Sequence, residues 1–351
     1  MTPERFTFEP HPARVRFGVG ALELVAEESD RLGLTRVLLI TSERLRPRVE
    51  QLLGARVAAT ETAVVMHVPL TRALEARAHA QDSGIDGIVA VGGGSAVGLA
   101  KAVALELPVP ILAVPSTFAG SELTSVWGLT QDGLKRTGRD ERVRPRVVLY
   151  DPALLRSLPP RLVGASGLNA LAHAAEALYA QGSNPVVALL AEQSARLFGA
   201  SLERAAAHDE AALAAALQAA WLAGTCLDRA AMGLHHKLCH TLGGTFGLPH
   251  AELHALMLPH SLSFNLPAAP QARAALQRAL GVPDVPLALQ ALVRRLELPA
   301  SLRELGLDEG ALERAATLAT QTPYDNPRPF SRMEVLQLLR GAFAGQLPEE
   351  A

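Results

Sequence analysis

Five histidines lie within one short stretch in the second half of the chain: His235, His236, His240, His250 and His254. His236 and His240 are four residues apart, so on a helix both imidazoles leave the same face, one turn above the other. Imidazoles can move protons, stabilise a developing negative charge or bind a metal ion. The stretch is therefore a candidate active site.

Two further features bring more polar groups towards this stretch. Gly243-Gly244 and Pro249 are expected to end the helix and turn the chain, which returns His250 towards the same place. Upstream, Asn169 and His173 repeat the spacing of four on a second predicted helix. Cys239 is expected only to fill space in the core, since nothing in the pattern requires a nucleophile.

Two loops in the first half of the chain suit a phosphate-bearing ligand. Gly92-Gly93-Gly94-Ser95 stands between a predicted strand and a predicted helix, where backbone N–H groups and the helix N-terminus can bind phosphate. After the next predicted strand, Ser116, Thr117 and Ser121 surround Gly120 and offer hydroxyl groups. A tight βα turn and an ordinary helix cap remain alternative interpretations of the two loops. Lys101 is expected to be a solvated charge.

The elements that must position these groups fall into two parts. Strand patterns at 36–41, 63–68, 87–91, 110–115 and 147–150 alternate with helical ones, which predicts a mostly parallel sheet covered on both faces. After a Pro-containing linker at 151–160, strand patterns almost vanish and Ala/Leu-rich helical segments follow. We predict an α/β domain over residues 1–155 and an all-helical domain over residues 156–351, with the active site in a cleft between them.

Composition excludes several classes of protein. The chain has 351 residues, 49% hydrophobic residues and a net charge of −2, which suits a globular protein without a nucleic-acid partner. Its two cysteines, Cys226 and Cys239, are too few for a disulfide framework, which favours the cytoplasm. We expect no signal peptide, no apolar run of membrane-spanning length and no membrane partner.

Together these motifs resemble the iron-containing (group III) alcohol dehydrogenase family, and within it the maleylacetate reductases. The resemblance rests on the glycine loop, on 115–122 and 169–176, on the histidine stretch and on Asp325-Asn326-Pro327-Arg328-Pro329. It implies the dehydroquinate synthase-like architecture of an α/β dinucleotide domain and an all-α domain. It also implies reduction of the conjugated C=C bond of maleylacetate to 3-oxoadipate, in the degradation of aromatic compounds.

The resemblance also suggests how a metal would be held, and why none is expected here. Metal-dependent members of the family have four ligands at the positions of Asn169, His173, His236 and His250, and the first of them is an aspartate. Asn169 is neutral, and Gly98 replaces a further aspartate of the family. A site without an anionic donor binds a metal ion weakly.

The implied reaction assigns roles to the remaining residues. Hydride addition to the C=C bond creates an enolate, which His173, His236, His240 and His250 could stabilise and protonate. The dicarboxylate substrate needs cationic partners, for which His235, Lys237 and Arg328 are candidates, and Asn169 and Tyr324 are expected to line the same pocket. Ser42 ends the first predicted strand without the acidic side chain that repels a 2′-phosphate, so both NADH and NADPH are expected to bind.

Two other enzyme classes remain as alternatives, together with a non-enzymatic binding protein. One is a metal-dependent alcohol or lactaldehyde dehydrogenase of the same fold, and the other is a lyase similar to dehydroquinate synthase, which needs a metal and a phosphate site. A binding protein would leave the histidines unexplained. We also expect a homodimer, the commonest soluble oligomer.

Overall fold

Short runs of Val, Ile, Leu and Ala in the first half of the chain form strands in the computed structural model, which describes Phe6, Phe8 and residues 13–65, 68–131 and 134–348. The strands are β1 Arg14–Phe17, β2 Val37–Thr41, β3 Val57–Glu61, β4 Gly87–Gly92, β5 Ile111–Pro115, β6 Val126–Gln131, β7 Leu134–Arg139 and β8 Val147–Tyr150. Six of them form a parallel sheet in the order β1-β8-β5-β4-β2-β3, and β6 and β7 form an antiparallel hairpin. Helices pack on the sheet, so β2, β5 and β8 are buried along their whole length.

The two outer strands of this sheet, β1 and β3, differ from the prediction. The predicted strand at 63–68 is wrong: the sheet uses Val57–Glu61 instead, residues 62–65 are irregular, and Met66 and His67 lie outside the described residues. β3 pairs only with β2 and is half buried, so it does not need the continuous apolar run that marks a central strand. For the same reason edge strand β1 gave no clear signal in the sequence.

The helices of the first half are α1 Val25–Arg31, α2 Arg46–Leu53, α3 Leu70–Asp82 and α4 Gly94–Ala104. The second half contains α5 Pro160–Ala177, α6 Pro185–Ala206, α7 Glu210–Arg229, α8 Leu234–Phe246, α9 His250–Asn265, α10 Pro270–Leu280, α11 Val285–Arg295, α12 Leu312–Thr320 and α13 Arg332–Ala344. The predicted fold class, an α/β part followed by a helical part, is confirmed.

The described chain divides into two compact units between Leu158 and Pro159, three residues after the predicted boundary. Residues 151–160, expected to be a linker, are mostly ordered: Asp151 caps a short 3₁₀ helix, Pro152–Ser157, whose Leu155 is fully buried. Asp151 also accepts hydrogen bonds from the backbone N–H groups of Gly20 and Leu22. The end of the first unit is thus tied to its beginning.

Helix α7 corrects the expectation that no apolar segment reaches membrane-spanning length. Among the described residues, Glu210–Arg229 has both the length and the composition to cross a membrane. It packs against α5 and α6, and residues such as Leu213, Leu217 and Ala220 are almost fully buried there. An Ala/Leu-rich helix at the centre of a helical bundle has the same composition as a membrane span.

Candidate active site

The predicted dinucleotide loops lie together at the carboxyl ends of the parallel strands. The register pairs Thr41 with Val91 and Gly92 with Pro115, so β2, β4 and β5 end side by side. Ser42 follows β2, the glycine loop follows β4, and Ser116, Thr117 and Ser121 follow β5. Since β3 and β4 lie on opposite sides of β2, this end of the sheet includes the point where the strand order reverses, and open α/β sheets bind ligands there.

The glycines of the first loop are required by close packing against the second loop. A Cβ atom at Gly93 would lie 3.1 Å from Thr117 Cγ2, and one at Gly94 would lie 3.1 Å from the Cβ of Ala119. Gly93 caps α4 without a side-chain hydrogen bond, so the first N–H groups of this helix are available to an anion. The two loops thus place N–H and hydroxyl donors, which phosphate oxygens can accept from, next to each other.

Lys101 corrects the expectation of a solvated charge, because its side chain is fully buried. Its Nζ donates hydrogen bonds to the carbonyl oxygens of Ser121 at 2.7 Å, Thr124 at 2.8 Å and Val126 at 2.7 Å, and to Thr124 Oγ1 at 3.0 Å. Burial of an ammonium group is tolerated because these oxygens replace its water. Lys101 therefore holds the chain that follows the hydroxyl-bearing loop.

In the helical unit, three helices bring the predicted polar side chains together. Helix α5 carries Asn169, His173 and Glu176 at positions i, i+4 and i+7, which share one face. Helices α8 and α9 pack against each other, and α9 also packs against α5. Six histidines meet between these helices, and we call them the histidine cluster: His173, His235, His236, His240, His250 and His254.

The path of the chain through the cluster differs in one respect from the prediction. Gly243 and Gly244 lie inside α8, which continues to Phe246 and ends at Gly247 in the left-handed conformation, with φ of 70°. Leu238 and Leu242 anchor this helix in the core, which outweighs the roughly 1 kcal/mol cost of a glycine in a helix. Pro249 then precedes the first residue of α9, His250, as expected for the return of the chain.

His254 is the centre of the cluster, although the sequence assigned it no role. Its ring centroid lies 4.4 Å from that of His250, 4.9 Å from His235, 5.0 Å from His236 and 6.5 Å from His173. Its Nδ1 is 2.9 Å from His235 Nε2, and His235 Nδ1 is 3.2 Å from Ser261 Oγ. The spacing of four between His250 and His254 was the signal that could have placed it here.

Glu176 is the second residue that the sequence interpretation missed. Its Oε2 lies 2.5 Å from His236 Nδ1, and its Oε1 accepts a hydrogen bond from the backbone N–H of His235 at 2.9 Å. Burial alone would raise the pKa of this carboxyl group, but the interaction with His236 outweighs burial and lowers it. Its position one turn after His173 was the available signal.

Most of the buried imidazoles are held neutral. Burial, followed by the neighbouring histidines, lowers the pKa values of His173 and His254 well below the usual range, and it lowers that of His235 to about 3. Four side-chain atoms here are buried without a hydrogen-bond partner: Asn169 Oδ1, His173 Nδ1, His236 Nε2 and His254 Nε2. Buried polar atoms of this kind indicate a place where a ligand, water or ion binds.

The predicted metal ligands do not form an ion site of the usual kind. The unpartnered atoms of Asn169, His173 and His236 could serve as donors, but all are neutral, and Glu176 instead contacts His236. Among the described His, Cys and acidic residues, the three ligand atoms that come within 4.8 Å of one another belong to His235, Cys239 and His254. His173, His236 and His250 therefore lack both the carboxylate and the convergence expected of an iron or zinc site.

The residues predicted to bind the substrate separate into two places. Lys237 lies beside Tyr324, with Nζ 6.0 Å from the ring centroid and 3.2 Å from Thr322 Oγ1. The Tyr324 hydroxyl is buried without a hydrogen-bond partner, and burial and nearby Glu176 raise its pKa. Both residues therefore lie near the histidine cluster.

His235 and Arg328 correct the prediction of cationic partners at the cluster. His235 is 1% exposed with a pKa of about 3, so it is neutral and its charge cannot hold a carboxylate. Arg328 stacks on Phe264 at 4.1 Å and pairs with Glu334 at 2.9 Å. Phe264 is ten residues after His254 on α9, roughly 15 Å along the helix axis. The structure therefore does not place Arg328 beside the imidazoles.

Comparison with known proteins agrees with this architecture. The family described as iron-containing alcohol dehydrogenase matches residues 12–152, and the C-terminal part of the Fe-containing alcohol dehydrogenase family matches residues 163–343. The chain is 48% identical over 348 residues to a maleylacetate reductase of Burkholderia cepacia, covering 98% of this chain and 99% of that protein.

Solved structures give the same result. The crystal structure of maleylacetate reductase from Agrobacterium tumefaciens is 41% identical, with a TM-score of 0.93, and covers 98% of this chain and all of that one. A putative alcohol dehydrogenase from Ralstonia eutropha JMP134 is 47% identical with a TM-score of 0.95, and the match covers 99% of this chain and all of that one. The chain therefore belongs to the iron-containing alcohol dehydrogenase family, a family of oxidoreductases.

Proposed function

We propose that this protein reduces the conjugated C=C bond of maleylacetate to 3-oxoadipate, with NADH or NADPH as the hydride donor. The observation that carries the proposal is the histidine cluster, in which His173, His235, His236 and His254 are buried and His236 contacts the Glu176 carboxylate. It stands in a chain that is 48% identical to a maleylacetate reductase over almost its whole length. An aldehyde or alcohol substrate would call for a strong Lewis acid, for which this donor set is poorly suited.

The proposed reaction requires the histidine cluster to stabilise an enolate by hydrogen bonds and to supply one proton. Hydride adds to one carbon of the double bond, the electron pair moves towards the ketone oxygen, and an enolate forms. Imidazole N–H groups can stabilise that oxygen, and one of His173, His236, His240 and His250 returns a proton to the neighbouring carbon. Asn169, Lys237 and Tyr324 are proposed to contact the substrate. The sum is one hydride and one proton added across the C=C bond.

The loops at the carboxyl ends of the parallel strands form the proposed dinucleotide site. NAD(P)H supplies the hydride. The residues proposed to bind it follow β2, β4 and β5, and they are Ser42, Gly92, Gly93, Gly94, Ser95, Ser116, Thr117 and Ser121. Ser42, the first residue after β2, is exposed and neutral, and the exposed pair Glu43 and Arg44 that follows it carries no net charge against a 2′-phosphate. We propose that both cofactors are used.

We further propose that the reaction needs no metal ion, although the family is named for iron. The support is the chemistry of the donor set, which offers neutral imidazoles and the Asn169 amide where a carboxylate would be needed. If an ion does bind, Asn169, His173, His236 and His250 would hold it, and it would polarise the substrate carbonyl.

The test is a turnover assay with maleylacetate and NADH or NADPH, with and without a chelator. We expect oxidation of either cofactor that depends on maleylacetate, 3-oxoadipate as the product, and no loss of rate with chelator. Turnover of an alcohol or aldehyde that requires added iron or zinc, without reduction of maleylacetate, would refute the proposal and favour the metal-dependent alternative.

The proposed setting follows from the proposed reaction. We propose a cytoplasmic enzyme of aromatic-compound degradation that acts as a homodimer on a free dicarboxylate, with no nucleic-acid or membrane partner. Sedimentation of the purified protein would give its oligomeric state, and fractionation of the producing cells would give its location.

A further inference from the structure

Glu176 has two contacts in the histidine cluster, and both use its carboxylate oxygens. The side chain is 1% exposed. Oε1 accepts the backbone N–H of His235, a group that can only donate, and Oε2 lies 2.5 Å from His236 Nδ1. Because the ionised form of a carboxylate only accepts hydrogen bonds, the proton in the second contact belongs to His236 Nδ1.

We infer that Glu176 is a positioning residue that keeps a proton on His236 Nδ1, so that Nε2 is the ring atom presented to a bound ligand. Nε2 is buried and has no hydrogen-bond partner. The His236 ring is also stacked on His173, with centroids 5.1 Å apart, so its orientation is set from two sides. The catalytic consequence rests on the proposed function, whereas the tautomer does not.

The surroundings of Glu176 show that its placement is specific. A Cβ atom at Gly233 would lie 3.3 Å from Glu176 Oε1 and 3.1 Å from the carbonyl oxygen of Asp325, so the glycine relieves close contact with the carboxylate. The nearby titratable groups are His173 on α5, Tyr179 just after α5, His235, His236 and Cys239 on α8, and Tyr324. Of these, His235 and His236 donate to the carboxylate.

The substitution Glu176→Gln changes the hydrogen bonding to His236 without changing the size of the side chain. Glutamine keeps the size of the side chain but has one accepting oxygen and one donating NH2 group. The backbone N–H of His235 requires the oxygen, so the NH2 group faces His236 Nδ1, which must then accept. A neutral ring then carries its proton on Nε2, and no carboxylate remains to stabilise the doubly protonated ring from which His236 would deliver a proton. Glu176→Asp keeps two accepting oxygens and serves as the conservative variant.

The first measurement is NMR of the full-length protein labelled with ¹⁵N in the histidine rings. The His236 signals are assigned by their loss in His236→Asn. We expect a protonated Nδ1 with a strongly deshielded proton in the wild-type protein and in Glu176→Asp, and a protonated Nε2 in Glu176→Gln. A matched control is Glu28→Gln, which removes a buried carboxylate paired with Arg14 and Arg16 and should leave the His236 signals unchanged.

A wild-type protein with the proton on Nε2, or a Glu176→Gln protein with an unchanged Nδ1 proton, would overturn the inference. If Glu176→Gln does not fold, the wild-type and Glu176→Asp spectra still decide. The second measurement is steady-state kinetics, where Glu176→Gln should lower kcat by up to about 10⁴-fold, the loss known for a catalytic histidine held in the wrong tautomer, with the NADH KM within about twofold. Glu176→Asp should restore most of kcat. The expected NMR pattern in a protein that does not reduce maleylacetate would reject the proposed function alone.

Discussion

Lys101 allows a sharp test of how the predicted cofactor site is supported. Replacement by Met keeps a linear side chain of similar length but removes the ammonium group. The carbonyl of Thr124, which is 1% exposed, and the half-buried carbonyl of Val126 then lose the Lys101 donor. The Ser121 carbonyl still accepts from the Thr124 N–H, and the Thr124 hydroxyl still accepts from the Val126 N–H. Each buried acceptor left without a partner costs about 1–3 kcal/mol.

The expected net effect of Lys101→Met is a loss of about 1–3 kcal/mol in the free energy of unfolding. The cost at the Thr124 carbonyl is close to the full amount, since water cannot reach it, whereas the Val126 carbonyl can regain water in part. Removal of the buried ammonium charge offsets some of this cost. Because the lost bonds include one to Ser121, the KM for NADH should rise as well.

Urea unfolding followed by circular dichroism measures the stability change, and initial rates give the KM. The matched control is Lys237→Met, because Lys237 is half-buried and donates a hydrogen bond to Thr322; this change should cost less than about 1 kcal/mol. If the free energy of unfolding of Lys101→Met lies within about 0.5 kcal/mol of the wild-type value, the Lys101 hydrogen bonds do not stabilise this loop.

Three further predictions concern the cofactor site and the pH dependence. Gly94→Val places a branched side chain where even an added Cβ would lie only 3.1 Å from the Cβ of Ala119, so NADH binding measured by fluorescence should weaken at least about tenfold, whereas the same change at exposed Gly244 should not affect it. Ser42→Asp places a negative charge after β2, and it should lower kcat/KM for NADPH by roughly 10- to 100-fold while that for NADH changes little; equal losses with both cofactors would contradict the proposed site. Burial lowers the pKa of His260 to about 4, so the unfolded chain takes up a proton below its ordinary value of 6.5 while the native protein does not. Stability from this group is complete above pH 6.5 and falls by roughly 3 kcal/mol as the pH falls to 4, and His260→Gln should flatten that part of the stability–pH curve measured by urea unfolding.

The sequence by itself determined the central strands, most of the helices and the members of the candidate site on α5, α8 and α9. Buried parallel strands need continuous apolar runs, and side chains four apart on a helix share a face, so β2, β4, β5 and the pairs His236–His240 and Asn169–His173 could be read directly. The glycine and hydroxyl loops followed from the same rule that parallel strands end at one edge of their sheet.

Only the tertiary structure decided which neighbours each of these groups has. The edge strand β3 depends on its pairing with β2, and Lys101 is buried because carbonyl oxygens from distant positions surround it. Glu176 contacts the site because α8 brings His236 Nδ1 to 2.5 Å from its carboxylate. Arg328 is not placed to bind the substrate as predicted, because its guanidinium group stacks on Phe264. Spacing along the chain fixes the direction of a side chain on its own helix, but its charge state and its partners depend on the helices packed against it.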